Sequence, residues 1–135
     1  MAEDTVVKEQ LTDEMIEAGA ELTRKLDEMG MPLPVALWFF LQDVNEWRLL
    51  FASPDLPAKG PQEVYRTVEA ARKTLGSGAE RVPLSSIGLI EPNSQLVQLL
   101  KVALSTGPGV SRVRFSKNVV NGHFIDDALI YRSAA

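Results

Sequence analysis

The sequence predicts an α+β domain in which a five-stranded, mostly antiparallel sheet has helices packed on one face, with the element order α-β-β-α-β-α-β-β. Three patterns support this prediction: amphipathic segments at helical spacing, two pairs of short apolar segments joined by turn signals, and one further short apolar segment between them. The length of 135 residues suits one domain with its own core. We expect residues 1–9 to be a disordered tail and residues 10–135 to form that domain.

The first helix is predicted from Leu11 to Met29, because apolar residues recur there every three or four positions and charged residues fill the other side. Gly30 provides the usual C-terminal stop. The apolar stripe could pair with a second copy, but it spans fewer than three heptads. Packing against the sheet of the same chain is therefore the favoured interpretation.

The first hairpin is predicted from residues 35–41 and 46–53, which are short and rich in aromatic and branched residues. A four-residue turn joins the two segments. If Leu41 pairs with Glu46, both tryptophans fall on one face, and the other face is also largely apolar. A hairpin that is apolar on both faces belongs at the centre of a sheet.

The middle of the chain is predicted to hold a loop, two helices and one strand. Prolines exclude a central strand from residues 53–60, which we expect to be a loop. Helices are predicted over residues 61–75 and 95–105. A short strand is predicted over residues 85–91, although Gly88 weakens it.

The last hairpin is predicted around Asn121-Gly122, a sequence typical of a type I′ turn. A two-residue loop places Val120 opposite His123 and Lys117 opposite Asp126. It also brings Arg114 diagonally near Asp127, so both aspartates have a cation close by. Strict alternation gives this hairpin a second, semi-apolar face, which a partner subunit could cover.

Composition narrows the function. The chain has no cysteine, which excludes disulfides, thiolate nucleophiles and iron–sulfur clusters. Its net charge is −4, divided as −8 over residues 1–46 and +4 over residues 47–135. Neither a signal peptide nor a membrane-spanning segment is predicted, so we expect a cytoplasmic protein.

Few residues in the sequence suggest catalysis, and no cofactor or metal is expected. The single histidine, His123, and Asp127 are weak catalytic candidates. They share a predicted strand face but stand four residues apart, roughly 13 Å along a strand. That separation is too large for the two side chains to share one proton or one ion.

The sequence therefore favours a non-catalytic binding or interaction module that forms a homodimer through its sheet. The hairpin face that mixes arginine, aromatic and aliphatic side chains is typical of interfaces. The proposed contact residues are Arg112, Arg114, Ile125, Leu129 and Tyr131.

Two alternatives remain open. One is a small enzyme or small-ligand-binding protein that uses His123, Asp127 and the 53–60 loop, including Asp55 and Lys59. The other is a nucleic-acid accessory protein that uses the basic strand 112–117. The overall acidity of the chain, with a pI near 5.0, makes nucleic acid an unlikely partner.

Overall fold

The computed structural model describes residues 7–134. Its helices are α1 (Asp13–Glu28), α2 (Asp55–Lys59), α3 (Pro61–Lys73) and α4 (Gln95–Ala103). Its strands are β1 (Val35–Leu41), β2 (Glu46–Ala52), β3 (Ile87–Ile90), β4 (Val113–Val120) and β5 (His123–Ser133). The predicted order of elements is confirmed, with one addition: the short helix α2 stands inside the segment predicted to be a loop.

The five strands form one sheet in the order β3-β2-β1-β5-β4. Strand β1 lies at the centre and pairs antiparallel with β2 and β5, and β4 pairs antiparallel with β5. Strand β3 is parallel to β2, because the chain crosses over through α2 and α3 before it returns. The prediction of a mostly antiparallel five-stranded sheet is confirmed.

The first hairpin has the predicted register, with Leu41 opposite Glu46. The turn between its strands ends at Asn45, which takes the left-handed conformation with a φ of 53°. One face of the hairpin contributes Trp38 and Trp47 to a buried cluster with α1 and α3. The opposite face packs into a second buried cluster, so the hairpin is central, as its two apolar faces predict.

Helix α4 corrects the prediction that the helices cover one face. Helices α1 and α3 pack on the face that carries the tryptophans. The buried residues of α4, Val97 and Leu100, join Leu37 and Ile130 on the other face. Both faces of the central strands are apolar, and exposing either would cost the free energy of that burial. The sheet therefore has helices on both sides.

Strand β5 carries one extra residue, Tyr131, where it pairs with β1. The Tyr131 hydroxyl is fully buried, donates to the carbonyl of Ile16 in α1 (2.6 Å) and accepts from the Trp38 indole N–H (2.9 Å). Gly19 of α1 lies against this pair, and a Cβ atom there would stand 2.7 Å from Trp38 Nε1. The absence of a side chain at Gly19 allows α1 to pack this closely on the sheet.

Arg132, next to this bulge, fixes the end of α1. Its guanidinium donates to both carboxylate oxygens of Asp27 (3.0 and 2.7 Å) and to the carbonyls of Leu33 and Gly109 (3.0 and 3.2 Å). A buried arginine requires this degree of pairing. One side chain thereby joins α1, the segment before β1 and the loop before β4.

The second hairpin has the predicted turn. Asn121 and Gly122 both have positive φ, 49° and 79°, as a type I′ turn requires. Val120 pairs with His123 as predicted. Within residues 7–134, none of the helices has the length and apolar character needed to cross a membrane.

Candidate functional site

The predicted catalytic candidates are separated by the sheet. His123 lies within 3.1 Å of Gln95 at the start of α4, on the α4 side. Asp127 faces the α1 side, where it binds Arg114. The two side chains therefore do not form one site.

The 53–60 segment does not complete such a site either. Val35 pairs with both Ala52 and Ser133, so this segment follows β2 beside the C-terminal end of β5. His123 begins β5, ten residues and roughly 33 Å away along the strand. The geometry gives no support to a site that combines His123 with Asp55 or Lys59.

The predicted interface residues also need correction. Ile125, Leu129 and Tyr131 are 2%, 5% and 0% exposed, and they pack inside the chain rather than on one open face. Tyr131 therefore cannot stack on a nucleic-acid base.

The two arginines of the predicted interface are engaged in ion pairs within the chain. Arg112 binds Glu17 at 2.8 Å, and Arg114 binds Asp127 at 2.7 Å. The second pair confirms the predicted proximity of Arg114 to Asp127. Both pairs also reduce the positive charge that the basic strand offers to a phosphate backbone.

The second hairpin changes faces in its middle, which the sequence prediction did not include. Ser116 pairs with Asp127 on the α1 side, and Asn118 pairs with Ile125, which is buried on the α4 side. In a regular strand, residues two apart share a face. Between these pairs lies Lys117, whose φ of 48° is unusual for a residue with a side chain. At this irregular position the alternation of side chains between the two faces of the sheet is reversed.

As a result, the consecutive residues Asp126 and Asp127 both contact the ammonium group of Lys8. Alternation predicted that Asp126 and Asp127 would point to opposite faces. Instead, Lys8 Nζ lies 3.0 Å from Asp126 and 2.9 Å from Asp127. The predicted partner of Asp126, Lys117, is replaced in this role by Lys8.

Asp127 is the most strongly bound carboxylate of this cluster. It accepts both hydrogen bonds of a bidentate pair from Arg114 (2.7 Å each) and a third from Ser116 Oγ (2.7 Å). Burial by itself would raise the pKa of Asp127. The hydrogen bonds from Arg114, Ser116 and Lys8 outweigh that effect and hold its pKa well below the usual range.

Aromatic rings complete the surroundings of the Lys8 ammonium. It lies 4.6 Å from the centroid of Phe40 and 5.7 Å from that of Trp47, within the range of cation–π attraction. We call the group formed by Phe40, Trp47, Asp126 and Asp127 the ammonium cage. Two carboxylates and two ring faces are suited to a compact cation such as a lysine ammonium.

The backbone around Lys8 is also bound. Asn45 accepts a hydrogen bond from the N–H of Glu9 (2.8 Å) and donates one to the carbonyl of Val7 (2.9 Å). The Trp47 indole N–H donates to the carbonyl of Glu9 (2.9 Å). Residues 7–9 are therefore held against the sheet, in contrast to the disordered tail predicted for residues 1–9. Residues 1–6 of that predicted tail lie outside the described residues.

An apolar patch adjoins the ammonium cage. The β1–β5 pairing ends at Phe39 and Ala128, so the turn end of the second hairpin projects as a two-stranded ribbon. We call the exposed apolar side chains at this end the ribbon patch: Val119, its cross-strand partner Phe124, and Val44 across a cleft of about 350 Å³. Their exposed fractions are 66%, 53% and 54%.

A groove of about 530 Å³ between α1 and the segment 76–81 is lined by Glu14, Glu17, Glu21, Glu80 and Arg81. Over residues 7–134, no cluster of three or more histidine, aspartate or glutamate side chains has the arrangement needed to hold a metal ion. No family model, curated protein or solved structure matches this chain. The contacts described above are therefore the basis for any assignment of function.

Proposed function

We propose that this protein is a non-catalytic interaction module that self-associates through the ribbon patch. The observation that carries this proposal is the one-sided cover of the ribbon. On the α4 side, Val120 and Ile125 are buried with Val97 and Leu100. On the α1 side, Val119 and Phe124 have no comparable cover and remain more than half exposed.

An isolated ribbon of two strands has little stability of its own. A two-stranded hairpin in water is marginally stable unless its apolar face packs on something. Exposed apolar patches bordered by polar side chains are characteristic of interaction sites. Here the border of the cleft includes Gln42, Asp43 and Asp126.

A second copy is the partner we propose. A two-fold axis through the ribbon patch would place Phe124 of one copy against the same patch of the other, so each copy would supply both contact surfaces. The ribbon patch, whose residues are exposed, thereby takes the place of the interface predicted from the sequence, whose apolar residues are buried. The proposal keeps the predicted cytoplasmic location, where a chain without cysteine is unaffected by the reducing conditions.

Sedimentation velocity of the full chain over a range of micromolar concentrations tests the proposal. We expect a monomer–dimer equilibrium that Phe124→Ser shifts to monomer. Val102→Ser is the matched control, because Val102 is 62% exposed on α4, away from the ribbon patch. A wild-type monomer at high micromolar concentration would refute self-association, and equal effects of both substitutions would refute the assignment of the patch.

A further inference from the structure

We propose that the ammonium cage, together with Asn45, is a recognition site for an extended peptide segment that carries a lysine, and that residues 7–9 fill it as an intramolecular substitute. The cage recognises the side chain at the middle position through charge and ring faces. Asn45 and Trp47 bind the backbone of the two flanking positions. This division between one specific side chain and two backbone contacts is how peptide-binding sites combine specificity with affinity.

Of the three side chains in residues 7–9, only that of Lys8 is bound by the site. Val7 is 79% exposed, and the side chain of Glu9 is also exposed to solvent. Three hydrogen bonds reach the backbone atoms of Val7 and Glu9. Specific recognition therefore falls on Lys8, and other residues could replace its two neighbours.

The cage residues also have contacts that do not involve Lys8. Asp127 still has Arg114 and Ser116, and Asp126 still has Gln42 Nε2 at 3.4 Å. Trp47 is held by its strand and its ring contact with Phe40, at 5.3 Å between centroids. A site already formed before its ligand arrives does not lose binding energy to its own ordering.

Residues 7–9 bury little apolar surface, so they are held mainly by the hydrogen bonds and the ion pair. The attachment of Lys8 to the same chain gives it an effective concentration on the order of millimolar. A free lysine peptide must compete with that concentration. Removal of the Lys8 side chain should therefore loosen residues 7–9 and open both the cage and the backbone contacts of Asn45 and Trp47 to a peptide in solution.

The probe is a synthetic peptide with the sequence of residues 5–11, acetylated at the N-terminus and amidated at the C-terminus. Its binding to the full chain is followed by NMR through the indole N–H signal of Trp47, with the signal of buried Trp38 as internal reference. We expect the peptide to bind Lys8→Ala at least tenfold more tightly than wild type. Lys8 is 40% exposed along its side chain, so Lys8→Ala leaves the core intact.

Two controls separate recognition from non-specific attraction. A peptide with norleucine at the lysine position keeps the alkyl chain and loses the charge, and it should lose at least tenfold in affinity for Lys8→Ala. Asn45→Gly, added to Lys8→Ala, retains the positive φ of the turn and removes the amide clamp, and it should also weaken binding of the lysine peptide.

Equal binding of the lysine and norleucine peptides would overturn the proposal, and so would equal affinity of wild type and Lys8→Ala. If Lys8→Ala failed to fold, the Asn45→Gly single variant would provide the test, because loss of its clamp should release Lys8 and shift the Trp47 signal while the Trp38 signal stays in place. An unshifted Trp47 signal in that variant would count against the proposal. The readout does not involve oligomeric state, so failure here would leave self-association through the ribbon patch untouched.

Discussion

The contact between Gly19 and the Tyr131–Trp38 pair allows a quantitative test of how α1 packs on the sheet. Gly19→Ala introduces a methyl group that collides with the Tyr131 hydroxyl and stands 2.7 Å from Trp38 Nε1. To accommodate it, Tyr131 must give up its hydrogen bonds to Ile16 and Trp38.

The expected cost combines three effects. Overpacking a buried site costs about 1–3 kcal/mol, and loss of the hydrogen bonds of a buried hydroxyl costs about 1–3 kcal/mol more. Replacement of glycine by alanine within a helix returns about 1 kcal/mol. We therefore expect Gly19→Ala to lower the free energy of unfolding by about 3 kcal/mol.

Tyr131→Phe provides the second arm of a double-mutant cycle. By itself it should cost about 1–2 kcal/mol, because the buried Trp38 N–H loses its acceptor. In that background, Gly19→Ala meets no hydroxyl and breaks no hydrogen bond, so its cost should fall to about 1 kcal/mol or less. The two substitutions should therefore be coupled by about 2 kcal/mol.

Urea denaturation followed by circular dichroism and tryptophan fluorescence measures all four corners of the cycle. Costs that add without coupling would refute the argument that the Tyr131 hydroxyl fills the space beside Gly19. A Gly19→Ala variant as stable as wild type would refute the close approach of α1 itself.

Two further predictions concern charged groups. The pKa of Asp127 is lowered in the folded state, so ionised Asp127 stabilises the fold at pH values above its unfolded pKa of about 4. This stabilisation is lost as the pH falls toward the folded pKa. Urea denaturation between pH 7 and pH 2 should therefore show a loss of about 1–2 kcal/mol in the free energy of unfolding, and Asp127→Asn should lack this loss. Asp27→Asn removes the negative charge and one of the two acceptor oxygens that face buried Arg132, and it should cost about 2 kcal/mol at pH 7 in the same assay. Glu28→Gln, in an exposed pair with Lys25, should cost less than about 0.5 kcal/mol, and equal effects of the two substitutions would contradict a structural role for Asp27.

Local patterns were sufficient to predict the strands and the pairing within each of the two hairpins. The two apolar faces of residues 35–52 require a central hairpin, and its turn length sets Leu41 opposite Glu46. The Asn121-Gly122 pair sets the second register in the same way. In both hairpins, the interactions that decide the register lie within a few residues of the turn.

The side of the sheet on which each helix packs could not be predicted in this way. The apolar residues of α4 show which side of the helix is buried, but both faces of β1 are apolar and accept a helix. The connection from β2 to the parallel strand β3 contains α3, which packs on the face that carries the tryptophans. Helix α4 lies in the connection from β3 to β4, which stand at opposite edges of the sheet, and it packs on the other face.

The candidate site was missed because its residues come together through long-range contacts. Lys8 is separated from Asp127 by 119 positions, and nothing around Lys8 resembles an element that packs. The Asp126-Asp127 pair was noticed in the sequence, but strict alternation placed the two carboxylates on opposite faces. A positive φ at Lys117 has no signal in the sequence, because lysine seldom takes that conformation.

The reversal at Lys117 connects the two proposed sites. With regular alternation continuing from Asp127, Phe124 would fall on the α4 side and Ile125 on the α1 side, and Asp126 would point away from Lys8. The reversal buries Ile125 under α4, leaves Phe124 uncovered, and turns both aspartates toward one ammonium. One irregular backbone position therefore accounts for both the ammonium cage and the ribbon patch, and a sheet without it would present neither.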